Sequence, residues 1–259
     1  MLNTRVQVLD VPVDCLDWRS TLEIVERDMQ SAGPAKAIIA VNPEKVIRAQ
    51  KDSELLSGLR RTALLIPDGI GVVLAARLLG LGHMERIAGA ELMPKICAIA
   101  ERCGQGVYLF GASPAVNEQA AAVLQRMYPK LKIAGRQHGY VKESEMDGVV
   151  DSINASGATV LFLALGSPKQ EQWMLRYLPQ TQVKLCQGIG GTLDVLAGAV
   201  RRAPPLFIKV HLEWLYRLLS QPRRLLRQTA LPKFAMQVVA AMIAGLGHPP
   251  APGSLRGEP

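Results

Sequence analysis

Two short segments of this chain set a polar group beside a helix-starting residue directly after an apolar run. Asn42-Pro43-Glu44 follows the apolar stretch Ala37–Val41, and Asp68-Gly69-Ile70-Gly71 follows Ala63–Ile66 and Pro67. Asn42 before Pro43 is a strong helix start, with the Asn as N-cap and the Pro in the first turn. Its amide is also suited to orient a substrate hydroxyl or a catalytic carboxylate. Asp68 fits a turn or cap role equally well. Two glycines beside a carboxylate at a strand end also admit a ligand closely. A carboxylate there can serve as a general base, a role typically worth about 10²–10⁴-fold in rate.

Three further segments have the same form. Gly111-Ala112-Ser113-Pro114 follows the apolar run Gly106–Phe110, and Ser113 can cap a helix whose first N–H groups suit a phosphate. It is not a GxGxxG loop and is a weak nucleotide signal by itself. Gly166-Ser167-Pro168-Lys169-Gln170-Glu171 repeats the arrangement, and puts Lys169 and Gln170 in the first turn of a helix. Gly188-Ile189-Gly190-Gly191-Thr192-Leu193-Asp194 offers three glycines for close backbone approach, with Asp194 suited either to a nucleoside contact or to a helix surface. Tyr140 can stack on a base or fill a core. Arg86, in Arg86-Ile87-Ala88-Gly89, either faces solvent or turns inward to clamp a diphosphate.

The elements that must carry these residues alternate. Apolar runs at 6–9, 37–41, 63–66, 106–110, 131–134, 159–165 and 183–186 read as strands. Helical patterns fall between them at 18–30, 43–60, 70–79, 90–102, 114–128, 143–153 and 169–178. This alternation predicts an α/β fold, a Rossmann-like parallel sheet with helices on both faces. In such a sheet ligands bind beyond the carboxyl ends of the strands, where all five polar segments fall. After Arg202 the pattern is helical only. We therefore expect a catalytic domain over 1–202, a basic amphipathic helical appendage over 203–246, and a Pro/Gly-rich disordered tail over 247–259.

The charge is concentrated in that appendage. The chain carries a net +8, and residues 201–233 hold eight Lys and Arg against the single acid Glu213. The same segment has Leu206, Phe207, Val210, Trp214, Leu215, Leu218 and Leu219 at helical spacing. An apolar stripe beside clustered arginines predicts a helix lying on an anionic membrane surface. Arg217, Arg224 and Arg227 fall near one helix face, where they could also close over the site. No apolar run reaches the roughly 18 residues that span a bilayer, and no secretory signal is visible. The expected location is cytoplasmic, peripheral on the inner face of the membrane. Four scattered cysteines without a CxxC pair read as reduced thiols, and four scattered histidines make no metal-ligand pattern.

Taken together these motifs resemble the WecG/TagA/CpsF family of bacterial glycosyltransferases, over roughly residues 6–239. The matching residues are Asn42-Pro43-Glu44, Pro67-Asp68-Gly69-Ile70-Gly71, Arg86-Ile87-Ala88-Gly89, Leu165 to Glu171, Gly188 to Asp194, and Glu213-Trp214-Leu215-Tyr216-Arg217 with Pro222-Arg223-Arg224. The resemblance implies inverting transfer of a sugar from a UDP-sugar donor to a polyprenyl-diphosphate-linked acceptor, without a bound metal or other cofactor. The sugar would be N-acetylmannosamine, its uronic acid, glucose or a related hexose. The product would enter a surface polysaccharide or teichoic acid. By similarity Asp68 is the general base, Asn42 and Gln170 position sugar groups, and Arg86 with the tail arginines Arg217, Arg224 and Arg227 stabilises the leaving diphosphate. Tyr140 and Asp194 would contact uridine, with Gly69, Gly111, Gly166, Lys169, Gly190 and Gly191 lining the substrate. Many members carry Thr two residues before the Asn; this chain has Ala40, which bears on donor identity. Self-association into a homo-oligomer is left open.

Two other classes compete. A nicotinamide-dependent oxidoreductase of the Rossmann class needs GxGxxG after its first strand, whereas Asp10-Val11-Pro12-Val13-Asp14 stands there. A nucleic-acid-binding protein would use the basic segment but has no need of the apolar face with Trp214, Leu215 and Leu218. We therefore expect no nucleic-acid partner.

Overall fold

The computed structural model describes residues 4–200, 204, 207, 216 and 229–245. Two strands, β1 (Arg5–Val8) and β2 (Val11–Asp14), form an antiparallel hairpin. Then follow α1 (Trp18–Met29), β3 (Lys36–Val41), α2 (Pro43–Ala49), α3 (Ser53–Arg61), β4 (Leu64–Pro67), α4 (Ile70–Leu78), α5 (Gly89–Arg102) and β5 (Gly106–Gly111). The order continues with α6 (Pro114–Met127), β6 (Lys132–Gln137), α7 (Met146–Ala155), β7 (Val160–Ala164), α8 (Lys169–Tyr177), β8 (Leu185–Gly188), α9 (Thr192–Leu196) and α10 (Ala230–Ile243).

The six strands β3 to β8 make one parallel sheet in the order β4-β3-β8-β7-β5-β6. Its central strands β5, β7 and β8 are buried along their whole length, as parallel strands covered on both faces must be. One face packs on α2, α3, α4, α7, α8 and α10, around Leu59, Trp173, Met174 and Phe234. The other packs on α1, α5, α6 and α9, around Met29, Ile96, Leu124 and Leu193. The loops leaving β5 and β7 lead to helices on opposite faces. They therefore part at the carboxyl edge, which is where this class of sheet binds ligands.

The first predicted strand does not join this sheet. It turns back through Leu9 and Asp10, both at positive φ (51° and 68°), into β2. Leu-Asp is not the Asn-Gly or Asp-Gly pair that marks such turns, so the hairpin left no local signal. The hairpin covers the β4 edge, where buried Asp14 accepts the Leu65 N–H at 2.8 Å and a two-pronged contact from Arg5 at 2.7 and 2.9 Å. It thereby satisfies a donor that an open sheet edge would expose. The single helix expected over 43–60 is two, because Asp52 caps a new one by accepting the Leu55 N–H at 2.9 Å.

Within the expected appendage, α10 packs against α2 and α4, with Phe234 and Val238 buried and Gln50 bonded to Gln237 at 3.0 Å. The rest of 201–228, with Arg217, Arg224 and Arg227, and the expected tail 247–259 lie outside the described residues. Among the described residues no helix is long and apolar enough to cross a membrane.

Candidate active site

The carboxyl ends of β3 and β4 bring the first two motifs together. The Asp68 N–H donates to the Val41 carbonyl at 2.9 Å, which ties the Asp68 turn to the end of β3. Asn42 caps α2 through its Oδ1, which accepts the Lys45 N–H at 2.8 Å. Gly69 begins α4 at φ 92°, a left-handed conformation that a side chain would strain. At Gly71 a Cβ would lie 2.8 Å from Pro43 Cγ and 3.9 Å from Phe234. The first turns of α2 and α4 therefore abut, with α10 behind them. Asn42 and Asp68 are both half-buried at this junction.

Arg86 joins the same edge. The Ile87 N–H donates to the Pro67 carbonyl at 2.8 Å, just beside the Asp68 turn. The Arg86 guanidinium turns inward to Glu91 at 2.9 Å, and its side chain is only 17% exposed. That disposes of the solvated reading of this arginine. Gln187 of β8 is fully buried and holds the start of α5 by donating to the Gly89 carbonyl at 2.9 Å.

Gln170 is buried, and both ends of its amide are engaged. Its Nε2 donates to Glu171 Oε1 at 3.1 Å, and its Oε1 accepts the Gly190 N–H at 3.1 Å. Glu171 Oε1 also takes the Lys45 ammonium at 2.6 Å, in an ion pair whose side chains are 5% and 2% exposed. Burial raises the Glu171 carboxyl. The Lys45 charge, with hydrogen bonds from Lys45, Gln170 and Ser167, outweighs it and leaves the group below its ordinary range. These contacts leave one Nε2 hydrogen and one Oε1 lone pair of Gln170 unused. Lys169, the next residue back, is exposed at the start of α8.

The β5 and β7 end of the same edge is built on Gly111. At φ 129°, a Cβ there would sit 2.4 Å from the Ala164 carbonyl, so β5 and β7 could not approach as they do. Ser113 caps α6, as its position predicts, by accepting the Val116 N–H at 3.3 Å. The Ala112 carbonyl accepts the Gly139 N–H at 2.8 Å and draws the Tyr140 turn alongside. Tyr140 is 75% exposed, which excludes the core reading and leaves its ring face open. Asn117 is buried beneath this turn, where its Nδ2 contacts the carbonyls of Leu109, Gly111 and Gln137. Gly166 and Gly190 stand at φ 75° and 53° with open space where a Cβ would go. Asp194 is half-buried in the first turn of α9 near exposed Gly191.

Asn42, Asp68, Arg86, Gln170 and Gly190 thus share one sheet edge, joined by the contacts above. Lys45, Gln187 and Asn117 were not legible as site-building residues. Glu171 was legible only as a letter of its motif, because its partner Lys45 stands 126 positions away. A cavity of about 410 Å³ lies elsewhere, between α3, α8 and the start of β3, with Leu55, Leu59, Met174, Leu175 and Leu178 in its lining. Of the site residues, only Glu171 reaches it, so its size does not mark the chemistry. Among the described residues no group of three or more His, Cys, Asp or Glu is placed to hold a metal ion.

Comparison with known proteins identifies the family. Residues 6–246 match the glycosyl transferase WecG/TagA/CpsF family. The chain is 36% identical over 202 residues to the N-acetylglucosaminyldiphosphoundecaprenol N-acetyl-beta-D-mannosaminyltransferase of Bacillus spizizenii, covering 78% of each chain. It is 33% identical over 230 residues to the protein of the same name in Bacillus subtilis, covering 89% of each. To that of Staphylococcus aureus it is 36% identical over 204 residues, covering 79% of this chain and 80% of the relative. With the family matched across residues 6–246 and relatives at 33–36% identity covering most of each chain, this chain belongs to the WecG/TagA/CpsF family of glycosyltransferases.

Proposed function

We propose that this glycosyltransferase moves N-acetylmannosamine from a UDP donor to the N-acetylglucosamine of a polyprenyl-diphosphate acceptor, with inversion at the anomeric carbon. The names of the three relatives support this choice of sugar and acceptor. The observation that carries the mechanism is the junction of the Asp68 turn with the Asn42-Pro43 turn at the carboxyl ends of β3 and β4. A single displacement needs a base on one side of the sugar and charge stabilisation on the other. Asp68 takes the proton from the acceptor hydroxyl as that oxygen attacks the anomeric carbon. The bond to the UDP oxygen breaks with its electron pair. Arg86 and the free N–H groups at the helix starts offset the charge that develops on the diphosphate. Asn42 and Gln170 hold sugar hydroxyls, and Tyr140 and Asp194 hold the uridine.

The acceptor is lipid-linked, so the protein works at the inner face of the cell membrane. Two features support this part of the reading. One is the cluster of arginines in 201–227; each basic residue near an anionic surface contributes about 1 kcal/mol. The other is the outer side of α10, where Met236, Val239, Met242 and Ile243 are exposed.

The test is UDP release from UDP-N-acetylmannosamine with a short-chain polyprenyl-diphosphate N-acetylglucosamine acceptor. We expect release that depends on both substrates and that EDTA leaves unchanged. Asp68→Asn should lower kcat by about 10²–10⁴-fold, with UDP affinity within a few-fold of wild type. Near wild-type turnover in that variant removes Asp68 from the role of base.

A further inference from the structure

We propose that Lys45 and Glu171 are positioning residues of this site: a buried ion pair that sets the orientation of the Gln170 amide and, through it, the place of the Gly190 backbone. The proposal rests on the sugar-transfer reading above and deepens it. Burying two charges is expensive, and an apolar pair of the same shape is often at least as stable. Stability alone therefore gives little reason for an ammonium and a carboxylate 2.6 Å apart with side chains 5% and 2% exposed.

The connections supply a reason. Asn42 Oδ1 holds the Lys45 N–H, and Lys45 Nζ holds Glu171 Oε1. That same oxygen takes Gln170 Nε2, and Gln170 Oε1 takes the Gly190 N–H. The chain of contacts runs unbroken from the turn after β3, through the turn after β7, to the turn after β8. A terminal amide can turn end for end at little cost, because its oxygen and nitrogen are nearly the same shape. A carboxylate beside it removes that freedom, since an ionised carboxylate only accepts. Glu171 therefore forces the Gln170 nitrogen toward itself and the oxygen toward Gly190. Lys45 keeps Glu171 ionised and fixed. The space is tight as well: a Cβ at Gly188 would meet Gln170 Nε2 at 2.7 Å. Gly190 itself has open space on its Cβ side and stands at φ 53°, so where its N–H is held decides how the ligand-facing turn lies.

Two double variants separate positioning from mere support. Lys45→Met with Glu171→Gln removes both charges but keeps an acceptor for Gln170 Nε2. Lys45→Met with Glu171→Leu removes the acceptor too. We expect the first, whose amide at 171 can offer Gln170 either a donor or an acceptor, to lose about tenfold in kcat. The second should lose about a hundredfold in kcat, the scale of a 1 Å misplacement, with donor KM nearly unchanged. Amide hydrogen exchange read by NMR gives a second, activity-free measure: the Gly190 N–H should exchange at least tenfold faster, on the order of one lost hydrogen bond, in the second variant, with the first falling between it and wild type. Wild-type kcat together with a protected Gly190 in either variant overturns the proposal. If the wild-type protein fails to transfer N-acetylmannosamine, the reading of the substrate falls, and the exchange comparison still decides the role of the ion pair. If the second variant does not fold, Gln170→Met, which leaves the ion pair in place, must show the same release of Gly190; continued protection there also overturns the proposal.

Discussion

Gly188→Ala puts the amide network under the smallest available perturbation, a single methyl. Its Cβ would lie 2.7 Å from Gln170 Nε2, 3.1 Å from Cδ and 3.3 Å from Met174 Cε. Carbon contacts become favourable only at about 3.5 Å, so the amide must retreat by roughly 0.8 Å. Its two hydrogen bonds are both 3.1 Å long already, near the upper end of the useful range, and a shift of that size breaks at least one. A neutral bond contributes about 0.5–1.5 kcal/mol and one to a charged group about 1.5–3 kcal/mol, so stability should fall by roughly 1–3 kcal/mol. Gln170 Nε2 is the end of a flexible side chain, which keeps that loss modest. The effect on turnover should be larger, since displacing a positioning group by about 1 Å costs on the order of a hundredfold. The assay is initial-rate UDP release at saturating donor, beside urea unfolding of the same preparation. Gly148→Ala is the control: it stands exposed in α7 with nothing within 4 Å of its Cβ. It should gain about 0.5–1 kcal/mol without changing kcat. If Gly188→Ala loses stability yet keeps wild-type kcat, the orientation of the Gln170 amide does not matter to transfer.

Three other expectations are open to direct measurement. Asp14→Ala should cost about 2–3 kcal/mol in urea unfolding, because it strands the buried Leu65 N–H and the Arg5 guanidinium; activity per folded molecule should be unchanged. The Glu171 carboxyl is held below its ordinary value in the folded protein, so the unfolded chain binds the extra proton in acid. Its stabilising share is therefore complete above about pH 4.5 and is lost as pH falls through the folded-state value; Tm against pH should show a shallower acid limb in the Lys45→Met, Glu171→Gln variant. Burial pushes the Cys97 thiol up to about 12 and raises that of Cys186 as well, so iodoacetamide at pH 8 should leave both unlabelled while half-buried Cys103 is modified, as read by mass spectrometry.

The sequence by itself determined the class of fold, because alternating apolar strands and amphipathic helices admit few other arrangements. It also placed the polar motifs at the carboxyl ends of the strands. Asn42 before Pro43, Ser113 before Pro114 and Asp68 before Gly69 are local signals, each written within a few residues by capping or turn geometry. What only the tertiary structure decided are contacts between distant segments. The Lys45–Glu171 pair joins two helices that have no reason to be read together until β3, β8 and β7 lie side by side. The return of α10 onto α2 and α4, with Phe234 against Gly71, is likewise invisible in a segment that reads as a separate appendage. The early hairpin escaped because Leu9 and Asp10 adopt positive φ without glycine, held there by the burial of Val11 and Val13 on either side of Pro12. Local rules reach about as far as one turn of chain; burial and charge pairing act across the fold, and they place the groups that hold this site in register.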